Sequence, residues 1–259
     1  MNRTKYWNEK YLSYWKERVQ ETNIKGSISR VIKDDTKTED ELIYKNIFDL
    51  YKFKEGNVLD VGCAWGRMFD IFFSYNLNVY GVDISKNMID ECLKLWKKFN
   101  YKNNFLISEA ESLPFADNYF DNLTCLATFD ATYQEKALNE FFRVVKPHGK
   151  LYITGKNLNY HSDDTLAIKA EVMARKKGHP NFFTNVNDMI KQILSQDNMM
   201  IQSYFFEKRG DFSLFKFKNN MPQRFYEYFL IIKKGYKETK FKKFSYKFSN
   251  TFKNNKNLK

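Results

Sequence analysis

The chain has 259 residues, with 43 basic and 31 acidic side chains and a formal net charge of +12, enough for one α/β domain of ordinary size with additions. Residues 233–259 hold ten lysines and one glutamate, so the tail carries +9 and the body only +3, which excludes the broad basic footprint of a nucleic-acid enzyme. Cys63, Cys92 and Cys125 are spaced for neither a zinc site nor a disulfide framework, and the chain shows neither a signal-peptide core nor the ~18 apolar residues of a membrane span. The expectation is a cytoplasmic protein with reduced thiols and no metal.

Taken in order, residues 5–20 place Tyr6, Tyr11, Trp15 and Val19 at helical spacing, and a second amphipathic helix is predicted over 39–51. The body then alternates: strand 57–61, helix 66–75, strand 78–82, helix 86–98, strands 103–107 and 120–127, helix 133–145, strand 149–154. Such alternation predicts a parallel sheet covered on both faces, with ligands bound beyond the carboxyl ends of its strands. In VLDVGCAWGR (58–67) an apolar strand carrying Asp60 runs into a turn of Gly62, Ala64 and Gly66, small enough for a ligand to reach backbone N–H groups. The next strand ends in Asp83, about twenty residues past the first glycine, where a carboxylate takes both hydroxyls of a ribose. Arg67 stands where a dinucleotide site requires its third glycine, which argues against a pyrophosphate ligand.

Beyond the fifth main strand, 157–183 is an insertion with a predicted helix: Asp163 and Asp164 suit its start, Lys176 and Lys177 its end, and Gly178 and Pro180 its stop. A helix over 183–194 and strands 200–206 and 226–233 follow. In the tail, Phe241, Phe244, Phe248 and Phe252 share one face of a predicted helix. That face either lies on an anionic membrane, packs on the domain, or has no fixed place.

With those residues in place, the chain resembles the class I S-adenosylmethionine-dependent methyltransferases over roughly 45–155. The motifs are VLDVGCAWGR, SEAESLPFADNYFDNLTCLATFD (108–130) and RVVKPHGKLYIT (143–154); Ala64 stands where glycine is more usual, and Glu109 where aspartate is. The resemblance implies a Rossmann-like three-layer α/β sandwich: a mostly parallel seven-stranded sheet with an antiparallel last strand, a helical N-terminal cap and a lid insert. One domain over 1–233 is expected, followed by the tail 234–259. The implied cofactor is S-adenosylmethionine. Asp60 and the backbone of Gly62, Cys63, Ala64 and Gly66 would hold its methionine end, Asp83 with Ile84 its ribose, and Glu109 with Ala110 its adenine edge. Thr128 would line the acceptor side, and Glu111 is expected to be a solvated charge. N-terminal helices of the family close over the cofactor, a role for Trp7, Trp15 and Arg18 unless these simply pack. The insert is either the acceptor lid or a plain surface helix.

An oxygen or nitrogen acceptor must lose a proton, so a base beside the methyl group is useful. His161 in the insert is the candidate, with a surface histidine as the alternative; Asp163 either orients it or caps the helix. His148 falls in the KPHG turn and His179 at the exit of the insert helix. Asp130 and Tyr133 follow strand four, from which family members contact acceptors. Thr128-Phe129-Asp130-Ala131 lacks the Pro-Pro signature of base and glutamine amino-group modification, and no Pro-Cys nucleophile is present, so DNA and RNA are not expected substrates. A small-molecule acceptor methylated at oxygen is expected. GKNLNYHSDD and KGHPNFFT resemble enzymes of bacterial surface-polysaccharide pathways, making a sugar or capsule precursor the first acceptor. A quinone or lipid-like acceptor, and a non-catalytic adenosylmethionine-binding protein, stand as alternatives, and the oligomeric state is open.

Overall fold

Val58, Leu59 and Val61 are 0–2 % exposed, as expected of a strand covered on both faces. This strand, β1 (Asn57–Val61), lies in a seven-stranded sheet with β2 (Asn78–Asp83), β3 (Phe105–Ile107), β4 (Phe120–Cys125), β5 (Val145–Lys156), β7 (Met199–Phe206) and β8 (Glu227–Lys233). The computed structural model describes residues 3–11, 39–97 and 104–251. The strand order is β3-β2-β1-β4-β5-β8-β7. All pairs from β3 to β5 are parallel, and β8 runs antiparallel to both β5 and β7. Order reverses between β1 and β4, which opens a crevice at their carboxyl ends.

Helices α2 (Glu39–Leu50), α3 (Phe69–Ser74) and α4 (Lys86–Leu95) pack on one side of the sheet, around Phe48, Phe69, Phe72 and Tyr152. On the other lie α5 (Gln134–Val144) and α7 (Val186–Leu194), around Phe120, Phe141 and Leu151. The insert helix α6 (Thr165–Lys176) is capped by Asp164, whose carboxylate accepts from the Ala167 N–H at 3.0 Å; Gly178 ends it at φ +72°. The N-terminal segment is one α-turn, α1 (Arg3–Tyr6), continued by a π-turn over Trp7–Tyr11. Trp15, Arg18, Val19 and Phe252 lie outside the described residues.

Three elements differ from expectation. The first helix after β1 begins at Phe69 rather than at Gly66, because positive φ angles at Ala64 and Gly66 keep the chain in turns. β5 begins earlier than its apolar run, at Val145, across an irregularity opposite Phe120 and Asn122. The tail is not a helix over 241–248, and among its described residues only Asn250 and Thr251 are helical. It is an extended strap whose short strand β9 (Ser245–Tyr246) pairs with β6 (Phe183–Thr184). Phe241 and Phe244, 8 % and 0 % exposed, join the core beside Phe142, whereas Phe248 is 47 % exposed. Glu135 of α5 fastens the strap by accepting from the N–H groups of Phe244 and Ser245. Leaving that anchor unmade would strand buried backbone donors.

The strap is therefore part of the folded core. Phe244→Ala is expected to lower unfolding stability by about 3–5 kcal/mol and Phe248→Ala by no more than ~1 kcal/mol, measured by urea denaturation of the full chain; equal effects would overturn this assignment.

Candidate active site

The crevice between β1 and β4 is shaped by a close approach. A Cβ added to Gly62 (φ +76°) would sit 2.2 Å from the Thr128 side chain, so only glycine lets the two strand ends meet. Around this contact Asp60, Gly62, Cys63, Ala64, Trp65 and Arg67 form one wall of a pocket. Asp83, Ile84, Ser85, Ser108 and Ala110 form the second, and Leu126, Thr128, Ala131 and Thr132 the third. Arg3 and Trp7 of the N-terminal segment lie across it.

The turn consumes its own donors. The N–H groups of Gly62 and Cys63 donate to Val82 O, Gly66 N–H to Cys63 O, and Ala64 N–H to Asp83 Oδ2 at 3.0 Å. This corrects the expectation that these N–H groups face a ligand. Ala64 takes φ +50°, a left-handed backbone that alanine tolerates at ~1 kcal/mol. Asp83 Oδ1 accepts from Ser85 N–H at 2.8 Å, so the carboxylate is aimed from both sides. Asp60, 4 % exposed, accepts from Thr124 Oγ at 2.7 Å.

Burial pushes both carboxyls up to about 6, with the Thr124 hydroxyl opposing at Asp60 and the Ser85 and Ala64 N–H groups opposing at Asp83. Arg3 and Arg67 also line the pocket, but the two buried acids and the engaged amide donors at the ends of β1 and β2 favour a ligand that is cationic there over a pyrophosphate. S-adenosylmethionine meets these requirements: its sulfonium and ammonium suit Asp60 and Asp83, and its ribose hydroxyls suit the oriented Asp83 carboxylate.

Three comparisons agree with this geometry. Residues 59–153 match the family model described as "Methyltransferase domain". These residues are a class I methyltransferase domain. An uncharacterised protein of Methanocaldococcus jannaschii is 34 % identical over 122 residues, spanning 46 % of this chain and 50 % of that one. A demethylmenaquinone methyltransferase of Renibacterium salmoninarum is 28 % identical over 150 residues, 55 % of this chain and 62 % of its own. The chain thus spans about half to three-fifths of the length of these curated relatives. A solved putative sarcosine dimethylglycine methyltransferase from Galdieria sulphuraria shares the fold at TM-score 0.57 and 12 % identity, over 90 % of this chain and 98 % of that one. The methyltransferase domain explains the β1 turn, the Asp83 strand end and the strand order together.

Of the residues expected to bind cofactor, Asp60, Gly62, Cys63, Ala64, Asp83, Ile84, Ala110 and Thr128 line the pocket. Gly66 does not: its Cβ position meets Trp96 Nε1 at 2.4 Å and Phe69, so its smallness serves helix packing. Glu109 is outside the pocket lining, its side chain 52 % exposed and 3.5 Å from the Arg3 guanidinium. Glu111 takes the inward position instead. Its side chain is 6 % exposed, binds Arg3 through both oxygens and accepts from the Tyr133 N–H. The expected solvated charge is thus a buried clamp. No local signal could reveal it, because Arg3 is 108 residues away.

The expected catalytic residues lie off the pocket wall. His161 is partly exposed and outside the pocket lining, while Asp163 pairs with Lys208 at 2.9 Å. Tyr133, 50 % exposed, lies beneath the Arg3 guanidinium. Asp130 is buried behind the wall and pairs with Lys156 at 3.0 Å; Lys156 also meets Glu171 at 3.0 Å. Burial pulls Lys156 down, but Asp130 and Glu171 outweigh it and hold it well above the usual lysine range. His179 is the histidine beside the site: its ring meets Trp7 edge-on at 4.8 Å, and its Nδ1 lies 3.3 Å from the Tyr6 hydroxyl. Burial, then Lys156, lowers it to about 4, so it is neutral at physiological pH. Its contacts come from the N-terminal segment, distant in sequence, so local spacing does not reveal them.

The N-terminal segment is tied down at both ends. Arg3 binds Glu111, and Asn8 accepts from the Asn87 N–H at 3.0 Å. Glu111→Ala is expected to weaken S-adenosylhomocysteine binding roughly tenfold by removing the two-point anchor of Arg3 and leaving only its 3.5 Å pairing with Glu109, read by calorimetry; unchanged affinity would show that the segment does not close the site. For Asp60 and Asp83 the folded-state value lies above the ordinary one. Their burial therefore favours the protonated form: the contribution of these two groups to unliganded stability is fully present in acid and is lost as pH rises from about 4 through about 6. Asp60→Asn is expected to raise the melting temperature of the unliganded protein at pH 7.5 while weakening cofactor binding. A fall in both would contradict the electrostatic assignment.

Proposed function

We propose that this protein transfers the methyl group of S-adenosylmethionine to a small-molecule acceptor that enters beside Trp7 and Thr132. The observation that carries the reading is the Asp83 carboxylate, held between the Ala64 and Ser85 N–H groups at the end of β2 and facing a pocket that also holds Asp60. Bound cofactor supplies an electrophilic methyl on a sulfonium, whose leaving group is neutral. What the chain must contribute is positioning and exclusion of water. Gly62 and Thr128 set the width of the site, Asp83 and Asp60 orient the donor, and Trp7 and Arg3 cover it.

The acceptor end decides between substrate classes. Leu126, Ala127, Thr128, Ala131, Thr132 and Trp7 line it, and none of these is a general base. An aliphatic sugar hydroxyl is a weak acid and needs such a base. A phenol-like hydroxyl, ordinarily near ~10, or an electron-rich ring carbon reacts with less help. The aromatic cluster of Tyr6, Trp7 and His179 also suits a flat ring. A quinol-like acceptor is the better reading, in keeping with the name of the Renibacterium relative. The sugar or capsule-precursor reading keeps the support of the GKNLNYHSDD and KGHPNFFT stretches.

The test has two stages. Asp83→Ala should weaken S-adenosylhomocysteine binding at least tenfold, and unchanged affinity would remove the cofactor assignment. The wild-type protein should then methylate reduced naphthoquinols and catechols faster than nucleotide sugars. The reverse order would restore the sugar reading, and binding without turnover on any acceptor would favour a non-catalytic protein.

A further inference from the structure

Packing of Phe241 and Phe244 into the core turns the other side of the strap outward. Lys237, Lys240, Lys242, Lys243 and Lys247 are all exposed. Three acids contact the strap, fewer than its five exposed lysines. Glu135 accepts from the strap backbone and from Ser245 Oγ, Asp197 accepts from the Tyr236 N–H, and Glu238 pairs with Lys240 at 3.1 Å. A cationic excess therefore remains along the strap.

Aromatic rings are interleaved with these cations. Tyr246 and Phe248 are 40 % and 47 % exposed. Lys243 Nζ lies 5.6 Å from the Tyr246 ring, and Phe248 is approached by Lys247 at 5.8 Å and by the Arg175 guanidinium at 4.7 Å. Arg175 belongs to the last turn of α6, where Lys176 and Lys177 are also exposed. The surface thus continues from the strap onto the insert that borders the acceptor side.

We infer that this surface docks the protein on an anionic phospholipid bilayer. Cations attract the negative leaflet over a Debye length, and half-exposed rings flanked by cations match the polarity of the headgroup layer. The strap is already fixed by Glu135, Asn139, Gln192 and the β6 pairing, so docking requires little further ordering. This inference stands independently of the methyl acceptor. If that acceptor is lipid-borne, docking brings the α6 edge of the site to the membrane.

The full chain should be sedimented with vesicles of phosphatidylcholine alone and of phosphatidylcholine mixed with phosphatidylglycerol. Retention is expected only on the mixed vesicles, decreasing steeply with added salt. The combined variant Lys240→Gln, Lys242→Gln, Lys243→Gln and Lys247→Gln should keep the wild-type melting temperature and lose at least tenfold in vesicle affinity. The matching Lys→Arg set should retain it. Absence of wild-type retention, equal retention on neutral vesicles, unchanged affinity in the glutamine variant, or tighter binding to a single-stranded RNA than to the vesicles would each overturn the inference.

Discussion

The contact between Gly62 and Thr128 is the constraint on which the site depends. With no Cβ at Gly62, the ends of β1 and β4 meet and the turn after β1 closes tightly enough for Ala64 N–H to reach the Asp83 carboxylate. A larger residue would push Thr128 away and with it the third wall of the pocket. The closure also engages the N–H groups of Gly62, Cys63, Ala64 and Gly66, and the polar groups at the ends of β1 and β2 are the acids Asp60 and Asp83. Keeping Asp60 ionised in that place costs on the order of 2–3 kcal/mol at neutral pH, a burden that a cationic ligand relieves. Stability is thus given up in the empty site in a way that favours binding of an adenosylmethionine-like cation.

Around this centre, the segment that crosses the pocket and the insert beside it are held by residues remote in sequence. Arg3, Tyr6, Trp7 and Asn8 bridge from Glu111 to His179 and to the start of α4. The insert is held from beneath by a buried charge network in which Lys156 joins Asp130 to Glu171, and Glu171 accepts from Tyr226 and Asn181. The strap holds it from the side: β9 pairs with β6, Asn250 N–H donates to Leu158 O, and Thr251 Oγ donates to Tyr160 O. The N-terminal segment and the insert are therefore held in place by different parts of the chain.

The division between the two sides bears on mechanism. The cofactor side carries the oriented charge, while the acceptor end, among the described residues, is lined by small, hydroxyl and aromatic side chains without a base in contact. His179 stands behind Trp7 and is neutral, so it can accept or donate a hydrogen bond but does not hold a positive charge near the methyl donor. For the proposed methyl transfer, such a site offers alignment and exclusion of water rather than strong proton abstraction.

What was legible in the amino-acid order was local. Apolar runs ending in Asp60, Asp83 and Thr128 marked strand ends, and strand alternation placed those ends on one edge; the pocket contains all three for that reason. The insert helix was readable from Asp164 and Gly178 because caps act within one turn. The choices that tertiary structure alone made are those between near-equivalent residues. Glu111 rather than Glu109 is the buried partner, where Arg3 meets both its oxygens and the Tyr133 N–H donates to it. His179 rather than His161 meets the site because the N-terminal segment folds across it. The four tail phenylalanines were spaced for a helix, yet the open surface between α5 and α7 takes Phe241 and Phe244 and leaves Phe248 outside. Spacing determines which side chains can share a face, but burial against a distant partner determines which face is used.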